Sequence, residues 1–510
     1  MPEALRLAEF LAALSLATDL GMGQPLEQAL RTCLIALALG QRLGLAPDEL
    51  SDVYYVALLR FLGCTADAHE FAEMVGGDDI AVRAAIAPVL GGSSGEFAAT
   101  VMPKVGAGQN PLTRAGLVLG MMRAGKDRAR EGIRAHCELG EHLAIRLGLT
   151  PGVRAGLQAA FEQWNGQGLP NGWTGEQISV AARIVFVARD VEILHRLSGV
   201  ERAVDAAQRR RGAAYDPAVA DAFLYGASDV LTSLDTASPW EAVLEHEPGP
   251  RPIVTETRLD AVLEAFADFV DLKSPFTVGH SRALAELAAA AAAPDDRTTL
   301  RRAALVHDLG RVSVPNGIWD KPSRLTEGEW ERVRLHPYYS ERILGRLEAL
   351  RPMAVVAGMH HERLDGSGYH RGSGRADIPV GARVLAAADA YQAMTQPRAY
   401  RSALEPSHAA HELEAMASAG RLDRDAVNSV LASAGHTVKP ARTAWPAGLT
   451  DREVEVLRVI CRGGTKKQVA SMLSISPSTV DHHVRHIYDK AGVQSRAGAT
   501  LFALEHDLLK

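Results

Sequence analysis

Seven side chains between positions 280 and 389 are of the kinds that hold transition metals: His280, the adjacent pair His307 and Asp308, His336, the adjacent pair His360 and His361, and Asp389. Neutral imidazole and carboxylate suit first-row divalent ions such as iron, manganese and zinc. On a helix, adjacent side chains point about 100° apart. Each pair can therefore serve two neighbouring metals, or one metal and the groups behind its ligands. A carboxylate bridging two metals about 3.5–4 Å apart is a known device for activating water and clamping a phosphate. Any one of these residues alone would read as an ordinary core or surface side chain. The set and its order carry the reading.

The residues that must position this set are themselves repeated. Segment 131–190 lies without a gap on segment 331–390. Glu131, Arg134 and His136 match Glu331, Arg334 and His336. Glu162, Gly166, Gly168, Gly172, Ile178, Val180, Ala182 and Arg183 recur 200 positions later. A gapless register through a glycine-rich loop points to duplication and a shared fold. The chemistry differs between copies. Where the second has His360, His361, Asp365 and Asp389, the first has Ala160, Phe161, Asn165 and Arg189. The first copy keeps the scaffold and lacks the ligands.

The chain has 510 residues, 47% of them hydrophobic and 23% charged, which excludes a disordered or collagen-like protein. Aromatics are 5%, and Ala and Leu are abundant, which favours helices. Leu259, Val262, Leu263, Phe266, Phe269 and Val270 form a helical stripe. An all-α chain is expected. Two stretches read as linkers, 246–252 and about 435–448, both interrupted by proline and glycine. They mark blocks at 1–245, 253–434 and 447–510. The net charge of −6 excludes bulk electrostatic coating of nucleic acid but allows a local DNA reader. Cys33, Cys64, Cys137 and Cys461 form no C-x-x-C pair, which implies reduced thiols in a cytoplasm. Charges interrupt every apolar stretch, so neither a signal peptide nor a membrane span is expected.

The flanks of the histidines are informative. Thr277-Val-Gly-His280-Ser-Arg, Ala304-Leu-Val-His307-Asp308-Leu-Gly310-Arg311 and His336-Pro337 resemble the HD superfamily of metal-dependent phosphohydrolases. His360-His361-Glu362-Arg363-Leu-Asp365-Gly366-Ser-Gly368-Tyr369, Ile378-Pro379 through Asp389, and Arg398-Ala-Tyr400-Arg401 resemble its HD-GYP subfamily. The resemblance covers about residues 255–432. It implies an all-α domain that binds two or three metals, iron or manganese, and hydrolyses cyclic di-GMP or a related cyclic dinucleotide. It also implies that His280, His307, Asp308 and Asp389 hold one metal. Asp308 would bridge to a second, held by His336, His360 and His361, and Asp308 and Arg311 would be catalytic. Arg311, Asp365, Gly366, Gly368, Tyr369 and Arg398 would bind substrate. The sequence departs from the family at Arg311 (lysine in the family), His370 (proline), Gln392 (aspartate) and Phe276 (glutamate in three-metal members). Two metals are therefore expected.

The first block resembles the same family weakly. Leu58-Leu-Arg60-Phe61-Leu-Gly63-Cys64 stands where an LLHDxGK stretch would be, and the spacing to His136 is longer by about 45 residues. A sensory or dimerising role is expected of it.

The last block, from Leu449-Thr450 through Lys490-Ala-Gly492-Val493, resembles the LuxR/FixJ-type helix-turn-helix. Thr450 and Glu453 suit a capping box, and Ser476-Pro477 suits the start of a recognition helix over about 477–490. That helix would bury Val480, Val484 and Ile487. By family position, Asp481, His482 and Arg485 would face bases, and Lys466, Lys467, Ser478 and Thr479 would contact phosphates. Residues 446–510 hold nine Lys/Arg against seven Asp/Glu, so a homodimer on two half-sites is expected. The fold expected is all-α: two HD-type helical domains, the first degenerate, and a four-helix DNA-binding domain. The function expected is a cytoplasmic bacterial transcription regulator with a dimetal cyclic-dinucleotide phosphodiesterase. The alternatives are a non-catalytic metal- or nucleotide-sensing transcription factor and a less selective nucleotide phosphohydrolase.

Overall fold

The computed structural model describes residues 5–232, 234, 238–438, 445–506 and 508–509. It divides into two compact units, Met1–Thr437 and Val438–Lys510. Both are helical, and among the described residues only isolated β-bridges occur, without strands. The second expected linker lies partly outside the described residues.

The first unit opens with α1 (Leu7–Gly21), α2 (Gln28–Arg42) and α3 (Pro47–Leu59). Then come α4 (Ala68–Val75), α5 (Asp79–Ile86), α6 (Ser94–Val101), the long α7 (Pro111–Arg146) and α8 (Pro151–Gln158). This half closes with α9 (Val180–Arg210), α10 (Pro217–Tyr225), α11 (Ala227–Thr232) and α12 (Pro239–Glu245). Helices α13 (Glu256–Asp271), α14 (His280–Ala291) and α15 (Arg297–Val306) then restate the opening trio. They lead into α16 (Asn316–Trp319), α17 (Glu327–Arg334), α18 (His336–Leu344) and α19 (Arg351–Gly358). The last three are α20 (Val380–Thr395), α21 (Pro406–Ser418) and α22 (Arg424–Ser433).

The duplication is visible atom by atom. Helices α8 and α19 start and stop 200 positions apart, and so do the starts of α9 and α20. The bridge between Asn165 and Thr174 recurs between Asp365 and Gly374. In each copy one glutamate ties the loop: Glu162 accepts from the amides of Asn171, Gly172 and Trp173, and Glu362 from those of Arg371 and Ser373. That explains the recurrence of this glutamate on structural grounds alone. Gly63 and Gly310 lie against the backbone of the matched histidine's helix. A Cβ there would meet the carbonyl oxygen of His136 at 1.9 Å or of His336 at 2.1 Å.

Two features differ from the sequence reading. Residues 246–252 break the helix as their prolines require, yet they do not separate two bodies. Leu7 N donates to Pro252 O (2.8 Å), Val254 N to Leu5 O (2.7 Å), and Tyr55 Oη to the buried Glu247 (2.8 Å). Pro and Gly signal an interrupted helix, not the absence of packing partners. The extra residues of the first block form α4, α5, α6 and the start of α7, with a small core of Val75, Val82, Val101 and Val105.

The second unit contains α23 (Asp451–Cys461), α24 (Lys466–Leu473), α25 (Pro477–Ala491) and α26 (Arg496–Glu505). The capping box forms: Thr450 N donates to Glu453 Oε2 (2.7 Å), and Glu453 N to Thr450 Oγ1 (3.3 Å). Ser476 caps α25 by accepting from Thr479 N (3.1 Å). Val454, Leu457, Val480, Ile487 and Ala499 share one core. Val484 is only half-buried at its edge.

Candidate metal centre

All seven candidate ligands converge, each placed by a helix end or a neighbouring turn except Asp389. His280 opens α14 and His336 opens α18. Asp389 lies inside α20. The pairs His307-Asp308 and His360-His361 sit in the turns that follow α15 and α19, not within helices as the 100° argument assumed. At the first pair the chain passes from α15 into a 3-10 turn, Leu309–Ser313, that brings Gly310 against α18.

Three groups of ligand atoms lie within 4.8 Å of one another: His280, His307 and Asp389; His336, His360 and His361; and His307, Asp308 and His360. Asp308 stands between the first two. Its Oδ2 is 3.4 Å from His307 Nε2, and its Oδ1 is 3.2 Å from His336 Nε2 and 3.6 Å from His360 Nε2. His280 Nε2 is 3.2 Å from Asp389 Oδ1, and His361 Nδ1 is 3.8 Å from Asp389 Oδ2.

The second nitrogen of four rings is already engaged. Nδ1 of His307, His336 and His360 faces the carbonyls of Ala304, Val333 and Ala357 at 2.6–2.7 Å, and Nδ1 of His280 faces Gln396 Oε1 at 3.0 Å. Protonated Nδ1 atoms leave Nε2 lone pairs aimed inward. The Nε2 atoms of His336 and His360 then face each other at 3.3 Å. His307 Nε2 and Asp308 Oδ1 are buried and find no hydrogen-bond partner. Converging lone pairs with orphaned buried acceptors fit divalent cations.

Burial pushes His307 down to about 4 and lowers His336 and His361, whereas at His360 the neighbouring Asp308 outweighs burial and raises the imidazole. Burial opposes charge on Asp308, but His307 and Arg311 outweigh it and hold the carboxyl well below its usual range. Asp389 is likewise lowered against its burial, chiefly by His280 and His361. Neutral imidazole beside ionised carboxylate is the protonation state that metal ligation requires.

Around this centre, Arg311 places Nη1 3.1 Å from Asp308 Oδ2, with its guanidinium 3.9 Å above the Trp319 ring. Arg398 donates to Phe276 O (2.9 Å). The Tyr369 ring lies 4.3 Å from that of His361. Gly368 packs on the loop backbone, where a Cβ would meet Glu362 Cα at 2.6 Å. Gly366 forms the turn beside it. Asp365 is exposed and used by that turn, accepting from Ser367 N (3.0 Å) and Oγ (2.7 Å). Sequence reasoning missed Trp319 and Gln396. Neither carries a spacing signal, and only the fold brings them to the site.

In the first copy the matching place is filled. Arg60, only 3% exposed, lies with its guanidinium carbon 5.6, 5.1 and 5.2 Å from the rings of Phe61, Phe161 and Phe186. None of its three side-chain nitrogens has a hydrogen-bond partner. Arg189, at the place of Asp389, pairs with Asp190. His136 turns away from ligation and bonds through Nε2 to Arg60 O (3.0 Å). Burial pushes this imidazole from 6.5 down to about 4. The unfolded chain therefore takes up a proton at position 136 near pH 6.5, while the folded chain takes it only near 4. Stability is full above 6.5 and declines by up to about 3 kcal/mol as pH falls through that window. His136→Phe is expected to remove this share of the acid sensitivity in denaturation curves at pH 7 and pH 4.5. An unchanged pH dependence would contradict the buried neutral state.

In the second unit Lys466, Lys467, Ser478, His482 and Arg485 are exposed and Thr479 is half-buried. Lys466 forms an ion pair with Asp481. An expected phosphate contact and an expected base reader thus occupy each other. The rings of His482 and His486 lie 4.2 Å apart on the open face of α25.

Comparison with known proteins adds the lineage. The HD-domain family matches residues 126–219 and 264–426, and the family of bacterial regulatory proteins, luxR family, matches residues 447–503. The 3'3'-cGAMP-specific phosphodiesterase 3 of Vibrio cholerae serotype O1 is 33% identical over 414 residues, covering 78% of this chain and 88% of that protein. A cyclic di-GMP phosphodiesterase of Thermotoga maritima is 37% identical over 121 residues, 23% of this chain and 33% of that protein. The crystal structure of a cyclic GMP-AMP specific phosphodiesterase of V. cholerae superposes with a TM-score of 0.59 at 27% identity, covering 86% of this chain and 99% of that one. Matched along both copies of its repeat and along most of the length of a cyclic-dinucleotide phosphodiesterase, the chain belongs to the HD-domain family, of the HD-GYP kind, and carries a luxR-family helix-turn-helix at its C-terminal end.

Proposed function

We propose that the protein is a cytoplasmic, homodimeric transcription regulator whose second HD copy hydrolyses a phosphodiester of a cyclic dinucleotide. The observation that carries this reading is the convergence of all seven ligands around Asp308, with inward lone pairs and Arg311 beside them. His280, His307 and Asp389 would hold one ion and His336, His360 and His361 a second, with Asp308 shared. Iron or manganese suits this mixed nitrogen and oxygen set. Bound divalent ions supply Lewis acidity and a nucleophile from water at neutral pH. The rest is done by the chain. Arg311 and Arg398 bind and orient the phosphate, and Tyr369 walls the site beside His361. Water adds to phosphorus, one ribose oxygen leaves, and it departs with a proton. The first copy, with Arg60 and Arg189 where ligands would stand, serves as scaffold or sensor. A sensor without turnover is the second reading, favoured by His370 and Gln392 at family positions of proline and aspartate.

The deciding experiment is metal analysis of the purified chain, followed by incubation with cyclic di-GMP and with 3'3'-cGAMP under iron and manganese. A linear dinucleotide product supports the enzyme. Binding without a product selects the sensor, and neither binding nor product refutes both.

The DNA reading has its own test. Arg485 is exposed on α25 and is expected to face a base edge. Arg485→Ala should cost about 1–3 kcal/mol at a selected operator and relax base preference there. Lys467→Ala should weaken specific and random duplex alike and flatten the salt dependence. Proportional loss of specific and nonspecific binding in both variants would remove Arg485 from base reading.

A further inference from the structure

The loop and helix that carry Arg311's support are anchored by the other half of the molecule. Helix α16 ends at Trp319, whose Nε1 donates to Arg311 O (3.1 Å) and whose ring lies beneath the Arg311 guanidinium. The N-terminus of α16 is held from outside the copy. Asp79, which opens α5 in the extra residues of the first block, accepts from Asn316 N at 2.8 Å through Oδ1. Its Oδ2 lies 3.7 Å from Lys273 Nζ. Asp79 is 1% exposed and Asn316 0%. Beside them Gly317 N donates to Gly77 O (3.0 Å), again across the two halves.

The same network reaches the second arginine. Asn316 Nδ2 donates to Lys273 O and to Asp320 Oδ2 (3.1 Å). Asp320 Oδ1 accepts from Ser274 Oγ (2.5 Å), and Ser274 Oγ accepts from Phe276 N (3.3 Å). Phe276 O is the acceptor that holds Arg398. One buried carboxylate thus stands at the root of two branches that end at Arg311 and Arg398. Removing one member of a buried pair leaves its partners unheld, and small errors in positioning cost much in rate.

We infer that Asp79 is a positioning residue for the second copy's site. By fixing α16 and the 273–276 turn it sets Arg311 and Arg398 at the phosphate-binding edge, so the extra residues of the first block complete a site whose ligands all lie in the second. This rests on the phosphodiesterase reading only for the identity of the substrate. The phosphate-binding geometry is tested apart from it.

The test uses the full chain, metal-loaded, as Asp79→Ala and Asp79→Asn. Three quantities are measured: metal per chain, affinity for inorganic phosphate, and KM and kcat on whichever cyclic dinucleotide the parent cleaves. Asp79→Ala should keep its metal, weaken phosphate about tenfold and raise KM by a similar factor, with kcat within about threefold. Asp79→Asn keeps an acceptor for Asn316 N and should recover most of the phosphate affinity. Should Asp79→Ala fail to fold, Trp319→Phe, which removes the hydrogen bond to Arg311 O, is held to the same phosphate criterion. Unchanged phosphate affinity in a folded, metal-replete variant overturns the inference. So does a loss of affinity that merely follows a loss of metal. If the parent cleaves no dinucleotide but Asp79→Ala still weakens phosphate, the substrate reading fails and the positioning role stands.

Discussion

Asp308→Asn should abolish turnover while leaving a folded chain. Asp308 is the residue whose two oxygens face different sets of imidazoles, at 3.4 Å on one side and 3.2 and 3.6 Å on the other. An amide there loses the charge that offsets two cations. Its NH2 group would also donate to an Nε2 lone pair that a cation would otherwise use. We expect metal to fall from about two ions per chain to at most one, and turnover of a cyclic dinucleotide to fall by at least about a hundredfold. His307→Ala combined with Asp308→Ala should remove most of the metal. Elemental analysis and a product assay read both effects. Two ions retained with turnover within about threefold of the parent would remove Asp308 from the bridging place.

The largest loss of stability is expected from the half without the metal set. Asp190 is fully buried and ties three groups: Arg189, Arg210 (2.7 Å) and the Tyr215 hydroxyl (2.8 Å). Arg189 has one further bond, to Ala87 O (2.6 Å), and Arg210 has two, to Pro88 O (3.2 Å) and to the Tyr215 hydroxyl (3.2 Å). Asp190→Ala strands two buried guanidinium groups at once. Removing one partner of a buried pair costs about 3–5 kcal/mol, because the remaining charge is left uncompensated. The variant should unfold at markedly lower denaturant than the parent, with the metal ligands themselves untouched. A cost below about 1 kcal/mol would mean that water or a moved side chain replaces the carboxylate.

The sequence is most legible where chemistry is dense. The seven ligands, their order and the glycine loop could be named from residue types and spacing, and the structure brings all seven together. The helices of the second unit were equally readable, since Thr450, Glu453, Ser476 and Pro477 write their boundaries locally. What escaped was tertiary. Nothing near Asp79 announces that it reaches Asn316 across 237 positions. Trp319 and Gln396 look ordinary in the sequence until folding brings one ring under Arg311 and one amide against His280. Asp365 is a different case. The resemblance makes this residue a substrate contact, and in the structure one of its oxygens closes its own turn. The interrupted stretch at 246–252 looks like a divider in the sequence because proline and glycine report on the backbone's helicity, while its anchors Leu5, Leu7 and Tyr55 lie far upstream.

The guanidinium of Arg60 gives the two halves different histories in the cell. On the proposed reading, the second copy takes its positive charge from solution as metal ions at the converging lone pairs. The first copy has no such lone pairs to balance, and the Arg60 guanidinium, part of the chain itself, fills the place among the rings of Phe61, Phe161 and Phe186. On the proposed reading, the second half is completed by bound ions that the first half does not need. A chelator or a metal-starved culture should loosen α14, α18 and α20 while sparing α3, α8 and α9, so that supply of a trace element is written into half a fold.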